Sequence, residues 1–126
     1  MRGFLLVCFG GAVGSGLRFL VAVAAARLLP LDFPYGTLAV NLAGSFAIGV
    51  VQELALGALL IPEPVRLLLS TGVLGGFTTY SAFSYDAVRL AATGSWPAAV
   101  LYVAVTTAGC LALCALGIAA ARQFAP

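Results

Sequence analysis

Gly72-Val73-Leu74-Gly75-Gly76-Phe77-Thr78-Thr79-Tyr80-Ser81 interrupts a chain that is otherwise almost entirely apolar. In hydrocarbon, every backbone N–H and C=O needs a partner, because no water is there to solvate it. Three glycines together with Thr78, Thr79 and Ser81 at mid-membrane depth are costly unless the freed groups touch something. Discontinuous membrane helices place such groups around an ion or a polar substrate. The run therefore sets the expectation of a broken membrane helix with a polar task.

The rest of the composition names the solvent. Of 126 residues, 63% are hydrophobic and only 8% are charged, with a mean hydropathy of +1.14. A soluble domain carries about 25% charged residues, so this chain cannot cover its surface with polar groups. Six arginines against four acids leave +2, with no histidine and no lysine. No clustered basic face is available for nucleic acid. No composition break suggests a second domain, so residues 1–126 read as one transmembrane domain. Cys8, Cys110 and Cys114 all lie in apolar stretches and are spaced neither for disulfides nor for zinc, which predicts reduced, buried packing roles.

A membrane helix needs about 20 mainly apolar residues. Prolines and charges divide the chain into four such stretches, at about 3–29, 35–60, 65–92 and 96–122. Pro30 and Pro34, then Pro62 and Pro64, punctuate the first two, and Trp96 marks the mouth of the fourth at an interface. The first stretch resembles a secretion signal, with Arg2 ahead and Ala24-Ala25-Ala26 behind, but it is too long and holds Arg18, so it reads as a full span. The predicted fold is all-α: four transmembrane helices with the third broken.

Orientation is nearly balanced. Four spans put Arg2, Arg66 and Arg122 on one side and Arg27 and Arg89 on the other. Topology follows the Lys/Arg excess. Either one extra arginine decides, or the chain inserts both ways and pairs antiparallel with itself. Small residues such as Gly10, Gly14 and the stretch from Gly44 to Gly49 permit close helix contact. With so few helices, they favour a homo-oligomer.

Individual polar residues add candidates. Asn41, within the second span, offers two amide donors, either as an interhelical hydrogen bond or facing an anion. Arg18 inside the first span either snorkels to an interface or lines a watery vestibule. Tyr80 and Phe83, three apart on one helical face, are packing aromatics or a pair whose electropositive ring edges flank an anion. Tyr102, Thr106, Cys110 and Cys114 form a stripe on the fourth span. No nucleophile with a nearby base and no paired intramembrane carboxylates exist, so an enzyme is not expected.

Three ordered motifs now coincide. They are Gly10-Gly11-Ala12-Val13-Gly14 with Leu17-Arg18-Phe19, then Pro34-Tyr35-Gly36-Thr37-Leu38 with Asn41 and Gly44, then Gly75 through Ser84. By these the chain resembles the Fluc (CrcB) family of fluoride channels, over essentially its whole length. The resemblance implies an antiparallel, dual-topology homodimer with two fluoride pathways, a multi-pass protein of the bacterial inner membrane that exports cytosolic fluoride passively and confers fluoride resistance. It implies an anion pathway of Asn41, Tyr80, Ser81, Phe83, Tyr102 and Thr106, with Arg18 in the vestibule. It also implies a structural sodium ion at the dimer centre, held by the backbone carbonyls of Gly75 and Thr78. Tyr80 stands where the family has phenylalanine, Ala82 where it has a hydroxyl residue, and Cys110 and Cys114 replace hydroxyl residues.

The alternative is a small four-helix multidrug or cation exporter, which needs a carboxylate in its first helix. The first span here has none. A scaffold subunit without transport gives no reason for the break.

Overall fold

The computed structural model describes residues 1–124. Among them every regular element is helical: α1 (Arg2–Leu28), α2 (Tyr35–Gln52), α3 (Glu63–Arg66), α4 (Gly75–Phe77), α5 (Tyr80–Ala92) and α6 (Trp96–Arg122). Wider, π-helical turns prolong α2 over Glu53–Gly57 and join α3 to α4 over Leu67–Leu74.

Local chemistry explains the boundaries. Leu29, which precedes Pro30, takes φ −125° and ψ 155°, the extended geometry that a following proline imposes. Pro34 precedes α2, and Pro64 and Pro97 sit in the first turns of α3 and α6, where a missing N–H costs nothing. Gly94 ends the α5 stretch at φ +84°, a left-handed conformation that glycine adopts without strain.

Three helical stretches are long and apolar enough to cross a membrane: Arg2–Leu28, Tyr35–Gly57 and Trp96–Arg122. The stretch expected at 65–92 is not one unbroken helix, because the chain is extended at Thr78 and Thr79. None of its pieces alone approaches the ~20 residues that a span needs. The outer surface is oily, with Phe9 and Leu116 at 67% and 57% exposed. Such side chains belong against lipid, and the protein is a membrane protein.

α2 and α6 pack on each other most extensively, and α1 packs on the Leu67–Leu74 turns and α4. Glycines let these backbones meet. A Cβ on Gly10 would sit 2.9 Å from the Gly72 Cα, and one on Gly14 would collide with the Val73 carbonyl. On the other side, Gly49 faces the Cys114 carbonyl and Gly117 faces the Phe46 carbonyl. The small residues that suggested contact with a second copy are thus spent on contacts within the chain. Arg122 Nε donates to Glu53 Oε1 at 3.0 Å, which joins the end of α6 to the end of α2.

Candidate functional site

The interruption is two residues long. Thr78 (φ −81°, ψ 160°) and Thr79 (φ −154°, ψ 116°) are extended, whereas Gly75 and Gly76 are helical. The glycine run does not unwind. It lets the third stretch lie against α1, where a Cβ on Gly76 would come within 2.5 Å of the Gly11 carbonyl.

Side chains from elsewhere take over the hydrogen bonds that the break frees. The Thr78 N–H still donates to the Leu74 carbonyl at 3.0 Å. The Thr79 N–H instead donates to Asn41 Oδ1 at 2.8 Å, and Asn41 Nδ2 donates back to the Thr79 carbonyl at 3.0 Å. Because the Thr79 N–H can only donate, it fixes which way the amide faces. One turn on, the Ala82 N–H donates to Thr79 Oγ1 at 3.2 Å, which caps α5. In an unbroken α-helix, the Thr79 and Ala82 amides would have served the carbonyls of Gly75 and Thr78. Those two carbonyls lose these partners.

Beside the break lies a cavity of about 490 Å³. It gathers Asn41, Gly44 and Ser45 from α2, Ser70, Gly75, Thr78 and Thr79 from the third stretch, Tyr80 and Phe83 from α5, and Thr106, Thr107 and Cys110 from α6. Thr106 is 5% exposed and its Oγ1 has no hydrogen-bond partner. A second cavity, of about 310 Å³, holds Arg18, Ser15 and Thr37 and shares Thr79 with the first. A third, of about 230 Å³, shares Thr37 with the second and adds Asp86 and Arg89. The Thr37 hydroxyl donates to Asp86 Oδ2 at 2.8 Å.

The expected site residues therefore divide. Asn41, Tyr80, Phe83, Thr106, Gly75 and Thr78 share one cavity, and Arg18 lines its neighbour across Thr79. Tyr80 is exposed and Phe83 buried, their ring centroids 5.5 Å apart and tilted by 51°. Tyr102 is wholly buried against Phe83 at 5.4 Å and edge-on to Phe33 at 5.5 Å. It does not line the large cavity, and its hydroxyl has no partner. Ser81 is exposed, shares a hydrogen bond of 3.2 Å with Thr79 Oγ1 and also lies off that cavity.

Sequence reading passed over Ser45, which follows Asn41 by one helical turn and was findable by period. It also missed the Thr37–Asp86 pair, whose members stand 49 residues apart. The cysteines are less buried than expected: Cys8 is exposed, and Cys110 and Cys114 are half-buried and free.

A family model described as CrcB-like protein, Camphor Resistance (CrcB) matches residues 5–118. The chain belongs to the CrcB family. A protein of Chelativorans sp. (strain BNC1) named fluoride-specific ion channel FluC is 47% identical over 123 residues, 98% of each chain. Proteins of the same name from Rhizobium johnstonii and Anaeromyxobacter dehalogenans are 47% identical over 121 residues and 46% over 112. These alignments cover 96% and 89% of this chain. Every residue of the break and its cavities lies inside the CrcB match.

Proposed function

We propose that this protein is a fluoride-specific ion channel, and not an enzyme. The observation that carries the reading is the cavity at the break, mainly apolar but bordered by Asn41 and several hydroxyl residues, set in a CrcB chain whose curated relatives bear that name. The physical task is desolvation. A bare small anion in a low-dielectric medium costs tens of kcal/mol by Born estimates. A pore must replace its water with donors that are each weak enough to let it leave. Asn41 keeps one amide N–H beyond the one given to Thr79. Thr106 contributes an unpartnered hydroxyl, and Tyr80 and Phe83 contribute ring edges whose hydrogens carry partial positive charge. Ser81 and Tyr102 lie off this cavity and join the pathway only as the family resemblance implies, and Arg18 draws anions into the adjoining cavity.

The working unit in this reading is an antiparallel homodimer of four-span chains in the bacterial inner membrane. The near-even arginine balance supports it. α3, the Leu67–Leu74 turns, α4 and α5 together make the broken third span. The carbonyls of Gly75 and Thr78 would hold a sodium ion at the dimer centre. The fit rests on their lost amide partners and on their place along the open cavity. Bound there, the cation offsets the self-energy of a nearby anion.

Purified protein in fluoride-loaded liposomes tests the reading, with a fluoride electrode outside and chloride-loaded vesicles as control. Fast fluoride release with negligible chloride release is expected. Equal release of both anions, or release of neither, overturns the assignment.

A further inference from the structure

We propose that Ser45 is a further anion-contacting residue, whose hydroxyl donates to fluoride in the part of the large cavity that lies beyond Asn41. The inference rests on the channel reading above and adds a residue to it. Ser45 follows Asn41 by one turn of α2 and lines the same cavity. Its Oγ is not sealed from that space and makes no hydrogen bond among the described residues. Other hydroxyls on these helices behave differently: those of Ser70, Thr78, Ser84 and Thr93 each donate to the carbonyl four residues back. Their protons are committed, and the Ser45 proton is free.

The register of α2 against α6 fixes the depth of that proton. Gly109 on α6 faces Leu42 on α2, and Cys114 faces Gly49, so the two helices run parallel. Ser45 therefore stands level with the turn of α6 that carries Cys110. Thr79 pairs with Asn41 and Thr78 packs on Gly44, so the third stretch runs antiparallel to α2 and brings Leu74 and Ser70 to the same part of the cavity. The wall there is Ile48, Leu74 and Leu111, the Ser70 hydroxyl is spent on the Arg66 carbonyl at 2.7 Å, and Cys110 offers only a thiol, a weak donor. Thr106 Oγ1, one turn before Cys110, is closed off from the space in its present rotamer. An anion moving past Asn41 thus meets a mainly apolar wall, where a charge without partners is costly. The Ser45 O–H is the open hydroxyl donor at that level, and a neutral hydroxyl is weak enough to release the ion.

Fluoride efflux from loaded liposomes, read by electrode, tests the residue, with the thermal midpoint of each variant measured in detergent beforehand. Ser45→Ala should keep the midpoint and slow efflux about tenfold or more, the scale of one lost hydrogen bond to a charged group. Ser45→Cys, which keeps the size and weakens the donor, should be slowed nearly as much. Adding Cys110→Ser to either variant returns a hydroxyl at the same depth from the facing helix and should recover most of the rate. If Ser45→Ala melts early, Ser45→Cys and its Cys110→Ser double decide the matter. Native-like efflux in the slowed variants' place overturns the role, and slowing that Cys110→Ser leaves uncorrected assigns the effect to packing and overturns it as well. A Ser45 variant whose midpoint loses a sodium response that the native protein shows also overturns it, because the hydroxyl then serves the cation. Absence of efflux from the native protein counts against the channel reading itself, whereas normal native efflux with an indifferent Ser45→Ala counts against Ser45 alone.

Discussion

The Asn41 amide and the Thr79 main chain form a closed pair: Thr79 N–H to Oδ1 at 2.8 Å and Nδ2–H to the Thr79 carbonyl at 3.0 Å. The amide thereby replaces a neighbouring strand or helical turn for a residue that has neither. Removing it strands a buried donor and acceptor, each worth about 1–3 kcal/mol when left unsatisfied, although intramembrane hydrogen bonds average nearer 0.6 kcal/mol. Asn41→Ala is expected to lose roughly 2 kcal/mol, read as a lower thermal midpoint in detergent. Asn41→Asp keeps the acceptor for the Thr79 N–H but, when ionised, removes both donors and adds charge. It is expected to fold yet pass fluoride at least about tenfold more slowly, because an anion then meets a like charge.

Thr79 Oγ1 caps α5 through the Ala82 N–H. Thr79→Ser keeps the oxygen, and Thr79→Val keeps the shape without it. The valine variant should lose about 1 kcal/mol, typical of a lost cap, while the serine variant stays within a few tenths. Equal midpoints for the two variants in detergent melts would show that the cap contributes nothing.

What the sequence revealed, and what it hid, follows from the same contacts. The break was legible because hydroxyl residues at mid-span have few other uses. Its joint is narrower than the Gly72–Ser81 run, confined to Thr78 and Thr79, although glycine propensity would loosen Gly75 and Gly76 as well. Packing against α1 overrides that propensity and keeps both helical. Asn41 was legible as a polar residue in oil, but its partner depends on how α2 is rotated. α1 and α6 are apolar around their circumference, so no stripe distinguished the lipid-facing Cys8 from the cavity-lining Cys110. The Thr37–Asp86 pair required the fold itself.

Glycine positions on α1 separate by surroundings. A methyl on Gly14 runs into the Val73 carbonyl, whereas one on Gly16 meets nothing within 4 Å. Gly14→Ala is expected to cost about 1–3 kcal/mol through forced separation of the helices. Gly16→Ala should be neutral or gain up to about 1 kcal/mol from helix propensity. The two variants, melted side by side in detergent, should move in opposite directions or differ widely. A tolerant Gly14→Ala would contradict the packing.

The Thr37 hydroxyl and Asp86 Oδ2, 2.8 Å apart, tie the start of α2 to α5 one turn before Asn41. Thr37→Val and Asp86→Ala should each destabilise by about 0.5–2 kcal/mol. The double variant should fall short of the sum, because the second change removes a bond already gone. Asp86→Asn retains an acceptor oxygen and should recover most of the loss. Full additivity in a double-mutant cycle of thermal midpoints would mean that the bond carries no coupling.

Sodium dependence provides the sharpest test of the proposed centre, because its ligands are main-chain atoms. The Thr78 side chain is already engaged: its Oγ1 donates to the Leu74 carbonyl at 2.9 Å. Thr78→Val therefore removes a local bond but leaves the Thr78 carbonyl in place. Exchanging sodium for a bulky organic cation is expected to lower both the thermal midpoint and the dimer fraction of the native protein. Restored sodium should recover them by mass action. Thr78→Val should show the same sodium response from a slightly lower baseline. Loss of the response in that variant would place the cation on the hydroxyl, and no response in the native protein would remove sodium from the centre.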